Sequence, residues 1–165
     1  MSRNTLTNTA IFSLLVPGTV AGAIPHLLAT YDRESTILSH PLVRVCGRLL
    51  FAIGLLLYLY TAWLFVKDGD GTPSPTHETT ELVTSGIYQY TRNPMYIAVL
   101  LLIGGQAVRY RSVHICWWLL VCALGFHRRV IEYEEPHLLQ LHGEAYEQYC
   151  ETVPRWLPTP LEAKQ

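Results

Sequence analysis

The sequence predicts an all-α integral membrane protein with about four transmembrane helices, including a short helical hairpin, and a C-terminal cytosolic helical tail. Three observations carry this reading. Leu49 to Val66, LLFAIGLLLYLYTAWLFV, runs for 18 residues without a charge. Leu6 to Leu28 is a second uncharged stretch. Met95 to Val108 and Val113 to Phe126 are two 14-residue apolar runs separated by a bend that carries Arg109 and Arg111. Composition agrees: 50% of the 165 residues are hydrophobic and 15% are charged, against roughly 25% charged in an ordinary soluble domain. The length suits one domain over 1–165, with N-terminal spans in 1–66 and a second part in 67–165.

Leu49 to Val66 has the length of a membrane crossing, since about 20 apolar residues traverse a hydrocarbon core of about 30 Å. Tyr58, Tyr60 and Trp63 near its C-terminal end read as an interfacial aromatic belt. The Leu6 to Leu28 stretch is interrupted by Pro17, Gly18, Gly22 and Pro25. It reads as a kinked helix, tolerated where neighbouring groups satisfy the freed carbonyls. Lys67 to Asn93 is a polar connection that opens on KDGDGTPSP, a turn-rich segment that cannot continue a helix. The two 14-residue runs, at about 21 Å of helix each, form a hairpin that extends past its apolar stretches or is partly re-entrant. In the tail from Arg128 to Gln165, Pro136 is expected to kink or restart a helix and Gly143 to stop one. VPRWLPTP, Val153 to Pro160, is expected to be extended.

Charge and cysteine usage exclude several classes. A net charge of −1 with no basic stripe implies no nucleic-acid partner. Cys46, Cys116, Cys122 and Cys150 form no C-x-x-C pair and read as small buried hydrophobes. The seven histidines are scattered, and no metal site is expected. No small-residue cleavage site follows the first apolar run, so a signal peptide is not expected. If 67–93 and the tail share a side, that side holds seven of the 12 Lys and Arg residues, which slightly favours a cytosolic tail.

Two polar segments abut the hairpin at one membrane face. In LVTSGIYQYTRNPMY, Leu82 to Tyr96, Ser85 and Gly86 permit a tight turn where backbone can approach a ligand. Pro94 suits a helix first turn, with Asn93 as its cap. Arg92 and Tyr96 flank that start, either as headgroup anchors or as part of a site. In RRVIEYEEPHLLQLHGEAYEQY, Arg128 to Tyr149, Ile131, Glu134, Leu138 and Leu141 recur at spacings of 3, 4 and 3. That phase puts Glu134 on an apolar stripe and Glu135 to one side. A carboxylate there needs a compensating cation; otherwise Glu132 to Glu135 is a solvated acidic patch.

Together, LVTSGIYQYTRNPMY, EEPHL, HGEAYEQY and VPRWLP resemble the isoprenylcysteine carboxyl methyltransferases and their prokaryotic relatives, and more distantly the phosphatidylethanolamine methyltransferases. The resemblance covers roughly Gly71 to Pro158. Asn93 stands where the eukaryotic enzymes have histidine, and His142 replaces a phenylalanine as a packing variant. The resemblance implies S-adenosylmethionine-dependent methyl transfer to a lipophilic or small acceptor (carboxylate, thiol or amine) at the lipid bilayer, in a multi-pass protein whose cofactor site faces the cytosol. It makes 67–165 the cofactor-binding catalytic core. The cofactor contacts it implies are Glu81, Leu82, Val83, Tyr88, Asn93, Pro94, Met95, Tyr96, Glu134 and Glu135. The catalytic positions are Arg92, Tyr96 and Arg129, the last standing beside Val130, where the eukaryotic enzymes have an arginine. Gly104 and Gly105 lie where the phospholipid enzymes have a glycine motif. Two other readings are an NADPH-using membrane reductase and a non-catalytic membrane scaffold.

Overall fold

The computed structural model describes residues 3–32, 41–68 and 82–157. Glu81, most of the KDGDGTPSP stretch, and Pro158 and Pro160 lie outside those residues. Every regular element described is helical: α1 (Arg3–Gly18), a π-turn (Thr19–Ala23), α2 (Ile24–Tyr31), α3 (Pro41–Asp68), a 3-10 turn (Gly86–Gln89), α4 (Pro94–Tyr110), α5 (Val113–Arg129), a second π-turn (Val130–Glu134), α6 (Glu135–His142) and α7 (Glu144–Thr152). Ser13–Tyr31 and Pro41–Lys67 are long and apolar enough to cross a membrane, and Pro94–Tyr110 is apolar but shorter.

The first span runs unbroken through its prolines. Pro25 has no N–H, and the Ile24 N–H before it reaches back five residues to the Thr19 carbonyl, which opens the π-turn. The carbonyls left over are filled from outside: Gln106 Nε2 donates to Ala21 O at 2.6 Å and Trp118 Nε1 to Val20 O at 2.9 Å. Gln106 is itself buried. The interruption at Pro25 is thus a π-turn whose freed carbonyls are satisfied by neighbouring helices.

α3 and α4 are antiparallel, with their backbones in contact at glycine. A Cβ on Gly47 would lie 2.6 Å from Arg109 N, one on Gly54 would lie 2.9 Å from Ala98 O, and one on Gly105 would lie 2.6 Å from Phe51 N. Small residues allow this approach where dispersion replaces the hydrophobic effect as the packing force. Gly105 therefore belongs to a helix seam. The core beside this seam holds Tyr58, Ala98, Val99, Leu102, Ile103 and Ile115. Leu49, Leu56 and Leu59 on α3 and Trp117, Val121 and Leu124 on α5 are exposed instead. These are faces suited to lipid rather than water.

Two aromatic and cysteine expectations are corrected. Tyr58 is buried, its hydroxyl donating to Ser13 Oγ at 2.7 Å. Tyr60 stacks on Trp63 at 6.0 Å, with Lys67 Nζ 5.0 Å above the indole. Cys122 is buried, but Cys46 and Cys116 are exposed on apolar helix faces.

The hairpin helices α4 and α5 have 17 residues each, or about 25 Å, and extend past their apolar runs as expected. Arg111 turns the chain at φ 53°, and the Ser112 hydroxyl caps α5 by accepting from Ile115 N at 3.0 Å. Ser112 also donates to the Asp32 carboxylate, whose other oxygen meets His114 Nδ1 at 2.7 Å. The Ser112 bond is the main reason Asp32 sits below the usual carboxylate range, with His114 adding to it against the opposing pull of burial. This clasp joins the end of α2 to the start of α5.

Candidate active site

At the opposite end of the hairpin lies a cavity of about 510 Å³. The second π-turn builds one wall. Pro136 again removes an N–H, and the Glu135 N–H before it reaches five residues back to Val130 O. The extra residue shifts the phase expected from the 3-4-3 spacing. Val130 is buried and Ile131 is exposed, so the stripe enters the turn at Val130. Glu134 and Glu135 then both line the cavity, although the spacing put Glu135 to one side.

The other wall is the segment ahead of α4. Gly86, at φ 58°, opens the 3-10 turn, and a Cβ there would lie 2.5 Å from Tyr60 Oη. The close backbone approach at this turn is thus to α3 itself. Tyr88 follows, buried against Phe65 edge to face at 5.7 Å. Its carbonyl accepts from Tyr149 Oη at 2.7 Å. Asn93 occupies the cap position of α4, but its side chain makes no capping bond; Nδ2 donates to Arg155 O at 3.1 Å. Pro94 is buried as the first residue of α4 and does not line the cavity, whereas Arg92, Asn93, Met95 and Tyr96 do. Leu82 and Val83 complete this wall.

The walls meet through charge. The Tyr96 hydroxyl donates to Glu134 Oε1, and Arg129 Nε donates to the same oxygen at 2.8 Å. Glu135 is held separately: Arg155 donates Nε to Oε1 at 2.7 Å and Nη2 to Oε2 at 2.9 Å, and Arg92 Nη1 lies 3.1 Å from Oε1. The fork on Glu135 is the main cause of the raised Arg155 pKa. Among these residues, three guanidinium groups face two carboxylates, leaving one positive charge in excess. Arg92 Nε is buried without a hydrogen-bond partner.

The cavity continues into apolar surface. Val16, Pro17, Val20 and Tyr58 from the N-terminal spans line it, with Val99 and Phe126 from the hairpin. Both parts of the chain, 1–66 and 67–165, therefore contribute to one hollow. Tyr96 bridges the two characters, packing on Phe126 at 4.6 Å between ring centres.

Arg155, Tyr146 and Tyr149 were not singled out from the sequence as site residues. The two tyrosines belong to HGEAYEQY, three apart on one face of α7, and burial pushes both hydroxyls above the ordinary phenol range. Arg155 belongs to VPRWLP. Glu81 lies outside the described residues.

The family model described as phospholipid methyltransferase matches residues 42–145. The chain is 36% identical over 78 residues to Protein-S-isoprenylcysteine O-methyltransferase of Schizosaccharomyces pombe, covering 47% of this chain and 33% of that protein. It is 34% identical over 82 residues to Protein-S-isoprenylcysteine O-methyltransferase B of Arabidopsis thaliana, covering 49% and 41%. The matched stretch thus spans well under half the length of these curated relatives. No solved structure matches the chain.

Proposed function

The chain belongs to the phospholipid methyltransferase family, and from that premise we propose that it is a multi-pass membrane enzyme that methylates a lipophilic anion with S-adenosylmethionine, its cofactor site facing the cytosol. In this reading 1–165 is one domain, α1 to α5 supply about four membrane crossings, and 67–165 carries the cofactor. The observation that carries the reading is the meeting of Glu134 with Tyr96 on the wall of a hollow that is charged at one end and apolar at the other.

The residues fit the cofactor. About 510 Å³ is within the range of small-molecule sites. Glu134 is already paired with Arg129, and its carboxylate together with the Tyr88 and Tyr96 rings gives a polar and aromatic wall for a ligand carrying sulfonium and ammonium charges. Glu134, Tyr96 and Tyr88 would hold it, with Leu82, Val83, Asn93 and Met95 around it. S-adenosylmethionine, when bound, supplies a methyl group on a sulfonium that departs as a neutral thioether.

The chain's own part is positioning and exclusion of water. An anionic acceptor needs no proton removed, so the site needs no strong general base. Its lone pair must be held in line, within about 3–3.5 Å of the methyl carbon. Arg129 and Arg92, which both line the hollow, offer guanidinium donors for an acceptor oxygen. The guanidinium groups of Arg92, Arg129 and Arg155 outnumber the carboxylates of Glu134 and Glu135 by one, which would complement a carboxylate or thiolate acceptor. Val16, Pro17, Val20 and Phe126 provide surface for an apolar tail.

The test is labelled-methyl transfer by the purified full chain in lipid nanodiscs. An N-acetylated, S-prenylated cysteine is expected to be labelled, while its carboxamide and phosphatidylethanolamine are not. Labelling of phosphatidylethanolamine alone would overturn the choice of an anion. A chain that binds NADPH and no adenosyl ligand would be a reductase.

A further inference from the structure

Both oxygens of Glu135 are engaged by the chain itself, with Arg155 across the two and Arg92 on one. Its neighbour Glu134 is the carboxylate that meets Tyr96 and Arg129. The two residues adjoin where the second π-turn passes into α6. The i→i+5 bonding of a π-turn departs from the phase of a regular α-helix, so the direction of its last side chain is set by what holds the turn from outside. The segment 153–157 supplies one. Pro154 O accepts from Arg92 N at 2.9 Å, and Arg155 O accepts from Asn93 Nδ2 at 3.1 Å and from Thr91 Oγ1 at 3.3 Å. Trp156 Nε1 donates to His127 Nδ1 at 3.1 Å, one turn before the π-turn begins. This strap therefore touches the box ahead of α4, the end of α5 and the start of α6.

We propose that Arg155 is a positioning residue: by forking onto Glu135 beside Arg92, it fixes the rotation of the π-turn and so aims Glu134 at the cofactor. The inference rests on the cofactor reading above. It also gives Glu135 a different role from Glu134, since Glu135 acts by being held and Glu134 by holding.

The experiment is calorimetric titration of the detergent-solubilised full chain with S-adenosylmethionine. Four forms are compared: unsubstituted, Arg155→Met, Glu134→Gln, and the double substitution. Arg155→Met alone is expected to weaken binding on the order of tenfold, as misaimed groups do. In the Glu134→Gln background the same change is expected to weaken it by less than about twofold, because the group that Arg155 aims is already altered. Thermal unfolding without ligand checks integrity. Should Arg155→Met not fold, Arg155→Lys, which keeps the charge and loses the fork, is expected to show a smaller loss that Glu134→Gln again suppresses. Equal losses in both backgrounds, or no loss in either, overturn the proposal. Absence of binding by the unsubstituted chain overturns the cofactor reading as a whole, which is a separate result.

Discussion

The chain makes the same backbone device twice, and the two copies serve different ends. Each π-turn ends two residues before a proline, Thr19–Ala23 ahead of Pro25 and Val130–Glu134 ahead of Pro136. In each, the residue before the proline bonds five positions back. In the first turn, the spare carbonyls are taken by Gln106 and Trp118, and the result is a weld between helices. In the second, the added residue turns two neighbouring carboxylates toward one hollow, where Tyr96 and three arginines receive them. The backbone geometry is shared; the side chains that surround it decide whether it stabilises or binds.

The comparison can be broken most directly at Glu134. Glu134→Ala is expected to weaken S-adenosylmethionine binding by about a hundredfold or more, as loss of a close charge partner does, while membrane insertion is unchanged. Titration and a detergent-resistance assay together check this. Unchanged affinity would reduce the second turn to packing.

Exchanging the prolines sharpens the contrast. Pro136→Ala allows regular helix through the turn and is expected to reduce cofactor affinity roughly tenfold by re-aiming Glu134. Pro25→Ala is expected to leave affinity within about twofold. Similar losses from both would mean that the turns are not functionally distinct.

The smallest effect is expected at the weld. Gln106→Leu removes the donor to Ala21 O and is expected to lower stability by about 1 kcal/mol, the scale of interhelical hydrogen bonds in membranes. A small fall in unfolding temperature with cofactor affinity retained would agree.

The sequence made the helices legible because uncharged length is a strong signal, and the disturbed hydrogen bonding at Pro25 because proline has a fixed chemistry. It did not make the phase of Glu135 legible. A spacing of 3, 4 and 3 from Ile131 assumes 3.6 residues per turn throughout, and the π-turn inserts a residue that leaves Val130 buried instead. Asn93 fits a cap by type, but Arg155 O competes for its amide from 62 residues away, which no local rule can foresee. Tyr58 looked like its interfacial neighbours until Ser13 of another helix came within hydrogen-bond reach. The motifs located the walls of the site; which residues on them converge is set by tertiary contacts.

The glycine seam between α3 and α4 has a consequence for traffic. Main chain touches main chain near Gly47, Gly54 and Gly105 along this pair, leaving no gap wide enough for a hydrocarbon tail. A greasy guest moving between bilayer and hollow must therefore slip in along a different flank, and widening this joint with alanine would pry the pair apart before it opened a door.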